Sequence, residues 1–210
     1  MKQRLCCLLV SMLSAALLPL MLAQWWSWKT SNEVSPFVAD VVNKNWIASE
    51  VEWRSHRDTL LASLPYAPFD ARRYWQLAEL HRIRAGGLRL WPDRRNEALD
   101  TAREYYRATM RLAPHDGELL SRVAYGLELA GDPLSISVMR RAMDVAPYEP
   151  IVQYHVAEVG VRNWDRLDAE TRRGLEMVVT HALKQEKISL AVRDVARRHN
   201  WMETLESLER

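Results

Sequence analysis

Two phrases, "MRLAPHDGELL" at residues 110–120 and "MDVAPYEPIV" at residues 143–152, set Pro114 and Pro147 33 residues apart. Proline lacks an N–H and disfavours helical backbone in the residue before it, so each phrase ends a helix. Self-similarity near 34 residues is the spacing of a helix–turn–helix repeat. One such pair cannot bury its own apolar face, so neighbours must stack. The remaining chain agrees, since apolar residues recur at helical spacing and no alternating strand pattern of useful length occurs. The expectation is an all-α fold.

The helix signals can be placed along the chain. Ser35 and Pro36 open a helix expected to run to about Leu64, where "PYAPFD" breaks it. Asp70 caps "ARRYWQLAELHRIRA", which stops at Gly86 and Gly87. A further helix is expected over "NEALDTAREYYRATMRLA", with Leu99, Ala102, Tyr106, Thr109 and Met110 on one stripe. Asp116 opens the next, stopped by Gly131, Asp132 and Pro133. Asp168 caps another, whose Leu175, Val178, Val179, Ala182 and Leu183 share a face. Asn200 with Glu203 three places on reads as a capping box for the last helix.

Residues 5–23 are an uncharged run, "LCCLLVSMLSAALLPLMLA", preceded by Lys2 and Arg4. Its 19 residues make a helix of roughly 28 Å, close to the ~30 Å of a hydrocarbon core and longer than a secretory h-region. Cleavage after Ala23 would put Met21 where a small residue is wanted. The run therefore reads as a retained transmembrane anchor, a cleaved signal peptide being the other reading. Trp25, Trp26 and Trp28 follow it as interface aromatics, and the preceding charges keep residues 1–4 cytoplasmic. Without residues 1–23 the body holds 27 basic and 27 acidic residues, a formally neutral balance that excludes a general nucleic-acid footprint. Both cysteines, Cys6 and Cys7, lie in the apolar run, so the body has neither a disulfide nor a cysteine metal ligand.

The body resembles tetratricopeptide (TPR) repeats. In the unit closed by Pro147, Leu120, Val123, Ala124 and Leu127 take the first-helix positions. Gly131 and Asp132 form the turn, and Ser135, Met139 and Ala142 take the second-helix positions. Ala102, Tyr106 and Thr109 match the second helix before Pro114, and Tyr74, Leu77, Ala78 and His81 its first helix. An insert near residues 86–97 separates those two and departs from the family. After Pro147 the match decays, with Val156 and Ala157 fitting but Gly160 standing where a large residue belongs. The organisation expected is an anchor over 5–23, a juxtamembrane helix and linker over 24–69, TPR-like repeats over 70–160, and capping helices over 161–210.

Little in the sequence builds a catalytic or metal site. None of the six histidines lies within four residues of another, so no zinc pair forms, and no cofactor is expected. Asp165, Asp168 and Glu170 could serve as paired carboxylates for glycan hydrolysis, yet a cap and a first-turn acid account for them. The feature that packing explains least is residues 71–95. They carry Arg72, Arg73, Arg82, Arg84, Arg89, Arg94 and Arg95 against Glu79 and Asp93. With Trp91, the arginines Arg82, Arg84, Arg89, Arg94 and Arg95 are the candidate contacts for phosphate, an acidic glycan or a partner's acidic loop. Glu118, Ser121, Tyr125 and Glu128 form the other candidate strip, on the concave face of the clean unit.

Taken whole, the anchor, the arginine-rich first repeat, "APYEP" and the "WDRLDAETRRGLE" helix resemble one group of proteins. These are the membrane-anchored TPR-like accessory proteins of bacterial exopolysaccharide and O-antigen-type surface-polysaccharide assembly. The resemblance implies a non-enzymatic scaffold in the inner membrane, its body periplasmic, contacting protein partners of an assembly or export complex. An envelope scaffold for cytochrome maturation or secretion, and a glycan hydrolase, are the competing readings, since fold cannot name a client.

Overall fold

The computed structural model describes residues 18, 19, 21, 22, 25, 29, 34, 36–40 and 49–208. Among the described residues there is no strand, and from residue 49 onward the chain forms nine α-helices. They are α1 (Glu50–Ser63), α2 (Ala71–Gly87), α3 (Pro92–Leu112), α4 (Gly117–Leu129), α5 (Leu134–Val145), α6 (Pro150–Arg162), α7 (Ala169–Leu183), α8 (Glu186–Arg198) and α9 (Met202–Leu208). The fold is all-α.

Consecutive helices form hairpins: α2 packs on α3, α4 on α5, and α6 on α7. The first helix of each hairpin also packs on the first helix of the next, α2 on α4, α4 on α6 and α6 on α8. This succession does not stop at residue 160, because α6 runs to Arg162 and α7 folds back against it.

Each hairpin is entered through the same joint. Ala113 (φ −129°, ψ 60°) and Ala146 (φ −147°, ψ 59°) end α3 and α5 in nearly the same conformation. Ala67 (φ −144°, ψ 62°) ends a short 3-10 turn before α2 in the same way. All three alanines precede a proline, which disfavours helical backbone there. In each joint the residue three places on donates its N–H back to the alanine carbonyl: Asp70 to Ala67 at 3.1 Å, Asp116 to Ala113 and Glu149 to Ala146 at 3.3 Å. "APFD", "APHD" and "APYE" are thus one turn used three times. The first escapes a search at constant period because Pro68 stands 46 residues before Pro114.

Packing between hairpins uses small residues as seats for large ones. Ala102, Ala142 and Ala78 are fully buried, as are Tyr106, Leu127 and Met139. At Gly126 a side chain would drive into the Tyr106 hydroxyl and come within 2.7 Å of Glu79 Oε1, so glycine lets α4 close over that pair. Gly160 lacks a large side chain because α7 supplies one: a Cβ there would lie 2.6 Å from Leu175 Cδ2.

Asp70, Asp116 and Asp168 cap their helices as expected, accepting from the N–H of Arg72, Leu119 and Thr171. Three boundaries differ. No helix runs unbroken from Pro36 to Leu64: Ser49 is extended (φ −153°, ψ 154°) and its hydroxyl accepts from Glu52 N–H, capping the start of α1. Residues 36–40 are helical beside it, with Phe37 stacked on His56 at 3.6 Å. The expected irregular insert at 86–97 is mostly helix, because Pro92 serves as a first-turn residue and extends α3 backwards. Only residues 88–91 join the two helices. Asn200 is not an N-cap but a left-handed residue (φ 56°) that closes α8. Trp201 N–H then reaches Ala196 O at 2.8 Å and Asn200 N–H reaches Arg197 O, a Schellman arrangement.

Among the described residues no helix is long and apolar enough to cross a membrane. Most of the expected span at 5–23 lies outside the described residues, as do Trp26 and Trp28. Trp25 is described and exposed, with Lys29 Nζ 5.7 Å from its ring.

Candidate functional site: an arginine-lined cleft

The end of α2 meets the start of α1 around Trp53, which is buried and donates from Nε1 to the Leu80 carbonyl at 3.1 Å. Arg84 lies 3.9 Å from the centre of its ring and Arg57 4.6 Å, so guanidinium groups cover the indole by cation–π contact. Arg84 Nη2 also donates to Glu50 Oε1 at 2.8 Å, the oxygen that accepts from Arg54 Nε at 3.1 Å. Arg84 Nε is buried with no hydrogen-bond partner. Trp53 and Arg84 form a pillar between two clefts.

The larger cleft has a volume of about 870 Å³ and runs between Ser49 and Glu50 on α1, Arg82 to Arg89 at the end of α2, and Arg95 on α3. The smaller, about 360 Å³, opens on the other side between Arg54, Arg57, Arg94 and Glu97. Both lie within the range of ligand pockets, roughly 300–1,000 Å³.

The candidate residues fall into three groups. Arg82 is buried and works inside the protein, donating from Nε and Nη2 to Glu79 Oε2 at 3.0 and 2.7 Å. Tyr106 donates its hydroxyl to the other Glu79 oxygen, tying the first hairpin to itself. Burial would lower the Arg82 pKa, but the Glu79 carboxylate and then the Tyr106 hydroxyl reverse this, and the net shift is upward. Arg84 is shared between the pillar and both clefts. Arg89, Trp91, Arg94 and Arg95 are exposed, and among the described residues the three arginines have no ion pair.

Tyr125 stands elsewhere, half-buried on α4, its ring stacked with His155 at 5.4 Å. Burial raises its hydroxyl pKa, followed by the nearby Glu158 carboxylate. The acidic strip expected beside it is internally satisfied: Glu118 pairs with Arg122 at 3.0 Å and Glu128 accepts from the Ser135 hydroxyl at 2.8 Å. Arg122 also lies 5.2 Å from the Trp75 ring.

Two of the three carboxylates near Trp164, Asp168 and Glu170, have side-chain partners. Asp168 caps α7 and meets Arg140 at 3.2 Å, and Glu170 meets the same guanidinium at 3.6 Å, which ties α5 to α7. The hydrogen bond from the Thr171 backbone N–H lowers the Asp168 pKa. Buried His81 is held at about 4 by burial, then by Arg84 and Arg57. His155 is held at about 3 by burial and then Arg122. Both are neutral near pH 7. Among the described residues no three His, Cys, Asp or Glu side chains group as metal ligands. The cleft offers guanidinium donors and backbone acceptors, an arrangement suited to holding an anion.

The α1 contribution went unread in the sequence. Glu50, Trp53, Arg54 and Arg57 recur at i, i+3, i+4 and i+7, one helical face, so the signal was present. Compared with protein-family models, curated proteins and solved structures, the chain matches none.

Proposed function

We propose that this chain is a non-enzymatic TPR-like scaffold, tethered by residues 5–23 to the bacterial inner membrane with its body periplasmic. There it would join protein partners in exopolysaccharide or O-antigen-type surface-polysaccharide assembly. The observation that carries the scaffold reading is the threefold joint at Ala67, Ala113 and Ala146. It delivers successive hairpins whose first helices pack side by side. Such arrays are quasi-one-dimensional and give extended surfaces for docking. The unpaired arginines at the α2–α3 turn add an anion-seeking patch at one end. The pathway rests on the sequence resemblance, chiefly "WDRLDAETRRGLE".

The test is deletion of the gene with surface and secreted polymer measured, followed by complementation. Loss of polymer restored by the parent and by an Asp165→Ala, Glu170→Ala variant supports a scaffold. Unchanged polymer after deletion removes the pathway. Failure of that variant at normal protein level returns the hydrolase.

A further inference from the structure

We propose that the larger cleft binds a segment of a carboxylate-bearing polysaccharide. The choice of sugar rests on the scaffold reading above; the chemistry rests on the cleft itself. Four arginines, Arg82, Arg84, Arg89 and Arg95, line it against one carboxylate, Glu50. Glu50 already accepts from Arg54 and Arg84, and Arg82 is paired with Glu79, so neither carboxylate neutralises Arg89 or Arg95. Arg89 and Arg95 have no ion pair among the described residues, and a guanidinium matches a carboxylate through two parallel hydrogen bonds. Behind them Arg84 Nε is a buried donor awaiting an acceptor.

The opposite need stands beside these donors. A helix leaves its last four carbonyls without intrahelical partners. At the end of α2 the Ala85 carbonyl is taken by Leu88 N–H at 3.1 Å. The carbonyls of Gly86 and Gly87 accept no backbone hydrogen bond from the turn that follows. A Cβ at Gly86 or Gly87 would meet nothing within 4 Å, so this backbone edge is bare. It carries partial negative charge and calls for hydroxyl or N–H donors, not for a second anion. A uronic-acid unit answers both demands, with its carboxylate on Arg89 and Arg95 and its hydroxyls on the Gly86 and Gly87 carbonyls. A bare phosphate would satisfy only the arginines. Trp91, 53% exposed in the same turn, offers a ring on which a pyranose can stack.

The experiment titrates oligogalacturonate into the full-length chain in detergent micelles by calorimetry. Its methyl ester and poly-glutamate serve as comparators. Losing charge-assisted hydrogen bonds to the carboxylate, Arg89→Gln with Arg95→Gln should weaken binding about tenfold or more. Removing the same charge from exposed Arg111 and Arg197, which have no ion pair among the described residues, should change affinity by less than about twofold. The ester should bind at least about tenfold more weakly than the acid. No binding, equal binding of the ester, or equal weakening in both double variants would each overturn the proposal. Poly-glutamate binding at least as tightly would overturn it in favour of an acidic protein partner. That result leaves the deletion phenotype untouched, and an unchanged polymer level in the deletion leaves the in-vitro affinity untouched, so the two readings fail separately.

Discussion

Acid should loosen this protein through two histidines before most carboxylates protonate. His155 is buried, with Nδ1 3.1 Å from the Ser121 hydroxyl, and is held at about 3; His81 is buried against Trp53 and held at about 4. Unfolded, both return to about 6.5. A folded-state pKa below the unfolded value means the unfolded chain binds more protons between the two values, so stability falls as pH drops through that window. Evaluated at about pH 5, each histidine withdraws about 2 kcal/mol relative to about pH 7.5, and the pair about 4 kcal/mol. That is a large part of the 5–15 kcal/mol that holds an ordinary domain together. Urea unfolding followed by far-UV circular dichroism at both pH values measures it. His155→Gln keeps a polar group near Ser121 but cannot charge, so its loss on acidification should shrink to about 2 kcal/mol. A His155→Gln, His81→Gln protein that loses as much stability as the parent would refute the assignment of neutral buried rings.

Two further outcomes concern glycine. Gly126→Ala should destabilise by about 2–5 kcal/mol, from overpacking and from the Glu79–Tyr106 hydrogen bond it displaces. In a Tyr106→Phe background the same change should cost at least about 1 kcal/mol less, a coupling read from a double-mutant cycle in urea. Gly86→Ala and Gly87→Ala act oppositely, because neither glycine has positive φ and neither site is crowded. Each should raise stability by about 0.4–1 kcal/mol, seen as a higher urea midpoint at unchanged slope.

The sequence made local chemistry legible and distant chemistry illegible. Asp70, Asp116 and Asp168 announce their helices because a cap needs only a side chain and the N–H two or three residues on. Asn200 misled because asparagine suits both an N-cap and the left-handed position. Burial of Trp201 against Trp164, 5.2 Å away and 37 residues earlier, accompanies the choice between them. Ser49 was readable through Glu52, yet the apolar stripe on either side of it argues for one continuous helix. Among the arginines, the Arg82–Glu79 pair is written at i, i+3, whereas Arg84 finds Glu50 34 residues away, and no spacing rule reports that. Gly160 looked like a defect in a repeat until Leu175 was seen to occupy its place.

The recurrent Ala-Pro joint has an architectural corollary. Since Ala67, Ala113 and Ala146 share one backbone shape, the chain enters every hairpin in the same direction relative to what precedes it. Such a coupling is indifferent to what lies between two joints. That is how the first hairpin could grow by more than three helical turns' worth of residues without re-aiming the second. Length can be gained or shed within a module while its neighbours keep their bearings, as with beads threaded through identical clasps.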